Sequence, residues 1–195
     1  MNPTIICNLA LSKIGELRIS KFGDTDSKEG REAALWFTVA VNEVINDVGA
    51  EFNSAIGRAG ALAAVSDKPD FGWDYAYQVP SDCMRVLNIV DQYTSEPMAV
   101  DWVREGDCIL TNETEVYIKY LKKDISVSSL SPDVHAAIYT LLASRLATAI
   151  TADPDLSNSI YNEYLTVALP KAIASNNAEG YHEDNSGATT AEAGR

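Results

Sequence analysis

The side chains able to do chemistry are few and scattered. His135 and His182 are the two imidazole bases, and neither lies in an elbow-type motif with a serine or cysteine nucleophile. His182-Glu183-Asp184 sets three metal-ligand types in a row, but a metal site needs donors converging from a rigid scaffold, so a solvated polar run is the better reading. Asp101 with Glu105, or Asp82 with Asp91, can be drawn as the acid and base of a glycan hydrolase. Among 28 acidic residues some such pair can always be drawn. Cys7, Cys83 and Cys108 are odd in number, widely spaced and without a CxxC pair, which reads as buried thiols in a reducing compartment. There is no GxGxxG after a strand and no GxxxxGK[ST], and residues 57–60 lack the lysine of a phosphate loop. No catalytic residue, metal or cofactor is expected.

The elements that would position such residues centre on residues 73–91. Trp73, Tyr75, Tyr77 and Val79 alternate with Asp74, Ala76 and Gln78, the period of a strand with one apolar face. These aromatics could stack on bases or sugars, but along a strand they are better read as core. Pro80, Ser81 and Asp82 have turn chemistry, and a second strand follows with Met84, Val86 and Val90 on one face and Leu87 and Ile89 on the other. The expectation is a hairpin whose second strand is interior, with Arg85 paired to a buried carboxylate. Shorter strands follow at 98–103, 108–111 and 116–121, with turns at 105–107 and 112–113. The sheet over 73–121 would then hold about five antiparallel strands.

Helices are expected over 3–14, 27–48, 132–150 and 155–175. Asn2 and Pro3 open the first, Asp26 and Glu29 have capping-box spacing before the second, and Ser131-Pro132 opens the third. Asp153-Pro154 opens the fourth, which Pro170 should kink or break. Residues 50–65 are compatible with a strand or a loose helix. The fold class is therefore α+β, a bundle of four helices with a small antiparallel sheet in one domain over 1–175. Residues 176–195 lack apolar anchors and are expected to form a disordered tail.

A chain of 195 residues can bury roughly 70% of its unfolded surface without disulfide or metal staples. No unbroken apolar run nears the ~20 residues of a membrane span, and no basic-then-apolar leader opens the chain. A soluble protein without membrane partners is expected. A net charge of -13 argues against gripping nucleic acid through phosphates.

The run Trp73-Asp74-Tyr75-Ala76-Tyr77-Gln78-Val79-Pro80-Ser81-Asp82-Cys83-Met84-Arg85-Val86-Leu87 resembles the W-x-Y-A-Y-x-[LV]-P-x-D-C-[LM]-R-V-L signature of the tail tubular protein A family, the head-to-tail adaptors of T7-like short-tailed bacteriophages. Asn8-Leu9-Ala10-Leu11 with Ile14-Gly15-Glu16, Glu105-Gly106 with Ile109-Leu110-Thr111-Asn112, and residues 141–147 with Ile150-Thr151 are similar to further stretches of that family. The chain departs from it at residues 51–55, where the family has an aromatic-rich W-x-F-A. The resemblance implies a structural virion protein of the tail, assembled in the host bacterial cytoplasm as a homo-oligomeric ring of twelve subunits. Its partners would be the portal protein and a tubular protein B-like tail nozzle, with DNA passing through the lumen without sequence-specific binding. Under that reading Asn176, Tyr181 and His182 dock on the portal, and Arg104, Glu105 and Asn112 form nozzle-facing turns. Trp73, Tyr75, Tyr77, Pro80, Asp82 and Arg85 form the structural motif. The rival readings are a glycan or peptidoglycan hydrolase on the same fold, and a cytoplasmic protein-binding module.

Overall fold

The computed structural model describes residues 1–49, 52–66, 69–123 and 125–178. Helix α1 (Pro3–Lys13) starts where Asn2 Oδ1 accepts the Ile5 N–H at 2.9 Å. Helix α2 (Lys28–Val48) is capped by Ser27, whose Oγ accepts the Gly30 N–H at 3.0 Å. The expected cap, Asp26, instead gives its own N–H to Asp24 Oδ1 within the preceding loop. Ala33, Phe37, Val41, Val44 and Val48 face inward along α2 as their spacing requires. Helix α3 (Pro132–Leu146) runs on into a π-turn, Ala147–Thr151, and has buried residues all round. Over 132–151 it is long and apolar enough to cross a membrane, but that apolarity is covered by α1, α2 and the C-terminal helices packed around it.

The last helix consists of α4 (Pro154–Glu163), a π-turn at Tyr164–Ala168, and α5 (Leu169–Ala178). Pro170 does not break it. A proline lacks the N–H of an i→i−4 bond and its ring clashes with that carbonyl. The widened turn, in which the Leu169 N–H reaches Tyr164 O, lies immediately before Pro170 and takes up the misfit.

Among the described residues six strands form two sheets: β1 (Ile56–Ala59), β2 (Tyr75–Gln78), β3 (Cys83–Ile89), β4 (Trp102–Glu105), β5 (Cys108–Thr111) and β6 (Ile118–Lys122). One antiparallel sheet has the order β1-β6-β3 and the other β2-β5-β4. The fold is α+β, but the strands divide between two three-stranded sheets, and β1 adds a strand N-terminal to the expected stretch. The undecided region 50–65 thus holds a 3₁₀ turn, Asn53–Ala55, followed by β1. β2 and β3 do not pair as a hairpin: β2 bonds β5 and β3 bonds β6. Nor is β3 interior to its sheet; it is an edge covered on both faces. Two-faced burial reports layers above and below a strand, and hydrogen-bonded neighbours do not enter that signal.

The layers are helices, then β1-β6-β3, then β2-β5-β4. Leu121 lies in the helical core with Ile138, Leu141 and Leu142, and Ile56, Met84 and Leu87 pack against the same cluster. Ile118, Tyr120, Val86 and Ile89 face the other way, joining Tyr77, Val79 and Ile109 between the sheets. Register irregularities between Cys83 and Arg85 and between Val86 and Asn88 shift which β3 residues face which core.

Gly57 pairs with Tyr120, and a Cβ at Gly57 would lie 2.5 Å from the tyrosine Cζ, so the ring occupies the place of the missing side chain. Gly57→Ala should therefore displace Tyr120 and destabilise the fold by about 1–3 kcal/mol, measured as a lower urea midpoint with an unchanged slope.

Candidate functional site

The strongest polar constellation lies where the chain passes from one sheet to the other. After β2, the Val79 N–H donates to Asp107 O at 2.9 Å, and the Cys83 N–H closes the Pro80 turn by donating to Pro80 O at 2.9 Å. Pro80 is thus the first residue of this turn, not its second, and Ser81 and Asp82 are the central residues that make the reversal. Asp82 is held at both ends: its carbonyl accepts the Lys123 N–H at 2.9 Å and its Oδ1 accepts the Tyr120 hydroxyl at 3.1 Å. Burial first, and then the bond to the carboxylate, push the Tyr120 hydroxyl up to about 12.

Arg104, on β4 of the second sheet, reaches back to β3 of the first. Its Nη1 donates to Met84 O at 2.9 Å and its Nε to Gly106 O at 3.1 Å, with Cys83 Sγ 3.8 Å from Nη1. The guanidinium is thereby a clamp between the two sheets, its fork fixed by two backbone carbonyls. Burial pushes the Cys83 thiol up, opposed by Arg104, and burial raises Cys7 to about 12. Both favour the unreactive thiol over the thiolate.

Two cavities flank this corner. One, of about 410 Å³, is lined by Pro80, Ser81, Cys83, Arg104, Asp107 and Lys123 among others. The other, of about 420 Å³, is lined by Ser54, Asp82, Lys122, Lys123, Ser126 and Ser129 among others. Lys123 belongs to both. Three cations around two polar cavities, in a chain of net charge -13, can hold an anion or a carboxylate-bearing segment.

The expected site residues are distributed unevenly. Pro80 and Asp82 form the corner and Arg104 its clamp. Glu105 and Asn112 are exposed at strand ends, Asn112 Oδ1 accepting the Asp74 N–H at 3.0 Å. Tyr77 is buried and donates to Glu113 O at 2.8 Å, and Trp73 is half-buried, whereas Tyr75 is exposed. Arg85 is exposed and makes no ion pair among the described residues, because the β3 bulge turns it outward while Met84 faces the helices. Asn176 lies inside α5 and is 2% exposed; its Oδ1 accepts the Asn53 N–H at 3.0 Å, so its side chain is occupied within the chain. Tyr181 and His182 lie outside the described residues.

The drawn acid–base pairs are not brought together. Asp101 immediately precedes β4 and Glu105 ends it, a separation of about 13 Å along an extended strand, beyond the roughly 5–9.5 Å of glycosidase carboxyl pairs. Asp82 and Asp91 stand at opposite ends of β3. His135 is buried, with Nε2 2.6 Å from Val127 O and 3.3 Å from the Met1 amino group. Among the described residues no cluster of three or more His, Cys, Asp or Glu could hold a metal.

Sequence reasoning missed a polar network between helices. Arg145 on α3 pairs with Glu43 of α2 at 2.6 Å and lies over the Tyr161 ring, while the buried Tyr164 hydroxyl donates to Asp47 Oδ2 at 2.6 Å. Burial, reinforced by Asp47, pushes that hydroxyl far above the usual tyrosine range. The signal was Glu43 and Asp47 at i, i+4 beside an apolar stripe, facing Tyr161 and Tyr164 at i, i+3.

No protein-family model matches the chain, and no curated protein matches it.

Because the raised Tyr120 hydroxyl stays protonated in the fold, its stabilisation is complete below pH 10 and lost as pH rises from 10 through about 12. Urea titrations at pH 8 and pH 11 should show wild type losing more stability across that interval than Tyr120→Phe, in which this proton linkage is absent.

Proposed function

We propose that the chain is a structural assembly protein without catalytic turnover, acting as a tail adaptor ring between a portal and a tail nozzle and forming part of the DNA conduit. The observation that carries the assembly reading is a set of apolar pairs exposed on three separate helical segments. Ile5 and Leu9 lie on α1, Leu35 (64% exposed) and Val39 (47% exposed) on α2, and Leu165 and Val167 on the π-turn between α4 and α5. Each α1 and α2 pair has i, i+4 spacing, which puts both side chains on one outward face. Apolar side chains gathered in this way on a helical layer fit contacts with neighbouring subunits or the portal.

The resemblance of residues 73–87 to the tail tubular protein A signature supports the choice of assembly. The run builds the corner that joins the two sheets, with Tyr77, Val79, Cys83 and Val86 buried there, as a scaffold segment would. A net charge of -13 suits a conduit, since an acidic wall repels passing DNA. The hydrolase reading draws less support, because its carboxylate pairs stand too far apart.

Electron microscopy of the protein mixed with portal rings should reveal twelve-fold adaptor rings seated on the portal. Leu35→Asp with Val39→Asp should leave monomer stability within about 0.5 kcal/mol, as exposed substitutions do, while abolishing those rings. Rings unaffected by the double substitution would remove α2 from the interface, and no binding to any portal would remove the reading.

A further inference from the structure

The C-terminal helix ends beside the lysine-lined cavity. Ser175 Oγ donates to Ser131 Oγ at 3.3 Å, and the Asn53 N–H donates to Asn176 Oδ1 at 3.0 Å. Ser54 and Ser129, one and two residues from those partners, line the 420 Å³ cavity with Lys122, Lys123 and Ser126. The final turn of α5, which reaches Ala178, therefore stands near the cavity rim.

The cavity has charge to spare. Lys122 is half-buried and Lys123 exposed, and neither forms an ion pair with a carboxylate of the described residues. Asp82 is the acid in the lining, with Oδ1 already accepting from Tyr120. Beyond α5 the sequence continues Glu179-Gly180-Tyr181-His182-Glu183-Asp184, with three carboxylates and no lysine or arginine. Six extended residues reach about 20 Å, enough to cross a cavity of this size.

We propose that this cavity is the seat of the chain's own residues 179–184, with Glu183 and Asp184 against Lys122 and Lys123. Exposed ion pairs are individually weak, but a short tether holds the segment at an effective concentration on the order of millimolar. The contact is accordingly sensitive to salt. It does not depend on the adaptor reading, and it gives the basic corner of an acidic chain an occupant.

The test is NMR of the isotope-labelled full chain at several protein concentrations. Amide signals of residues 179–184 should shift in Lys122→Gln/Lys123→Gln, and by the same pattern in wild type at about 0.5 M salt, where the screening length is ~4 Å. The charge swap K122E/K123E combined with E183K/D184K should restore the wild-type dependence on salt. Tail signals identical in wild type and the glutamine variant overturn the proposal. So do tail signals in wild type that are indifferent to salt, a measurement that stands even if the variant fails to fold. Shifts that grow with protein concentration also overturn it, since they place the segment on a second copy.

Discussion

Strand β6 has to satisfy two cores at once, and most of the architecture follows from that. It is the central strand of β1-β6-β3, with Leu121 in the helical core and Ile118 and Tyr120 between the sheets. A strand's side chains alternate by face, so a one-residue slip would exchange the two sets and strand Tyr120 among helices. Fully burying side chains of this size contributes roughly 1.5–3 kcal/mol each, so a register slip of β6 would forfeit several such contributions at once. Gly57 under the Tyr120 ring and Asp82 at its hydroxyl hold that register from both sides.

The corner at Pro80 is the complement of this arrangement. Because β2 and β3 belong to different sheets, the turn between them must bridge two layers. Its polar atoms are met by Lys123 and Tyr120 from one sheet and by Arg104 and Asp107 from the other. The same demand gathers Arg104, Lys122 and Lys123 within a chain that is otherwise acidic. A basic polar corner and an apolar-studded helical layer thus occupy different parts of the fold. Between the helices, Arg145, Glu43, Asp47, Tyr161 and Tyr164 add directional bonds to packing that would otherwise be apolar. The buried Tyr164 hydroxyl in particular fixes its helix against α2, since leaving it without Asp47 would be costly.

What the sequence by itself determined was local. Capping residues Asn2, Ser131 and Asp153 sit at helix starts, and the stripes of α2 and α3 face the core, because caps and periodicity depend on neighbours within a turn or two. Turn residues were legible for the same reason: Gly106 adopts φ 58° in the β4–β5 hairpin. Only the tertiary structure decided how the strands pair. Tyr75–Gln78 and Cys83–Ile89 look like consecutive arms of a hairpin, yet they find partners about 30 to 40 residues away, and alternation carries no record of which edge a strand will meet. The bulges that expose Arg85, the burial of Asn176 against Asn53, and the meeting of Arg104 with Lys123 across two sheets are likewise consequences of layer packing. Such juxtapositions join residues far apart in the chain, so no local pattern encodes them, and the corner with its cavities became visible only when the layers were in place.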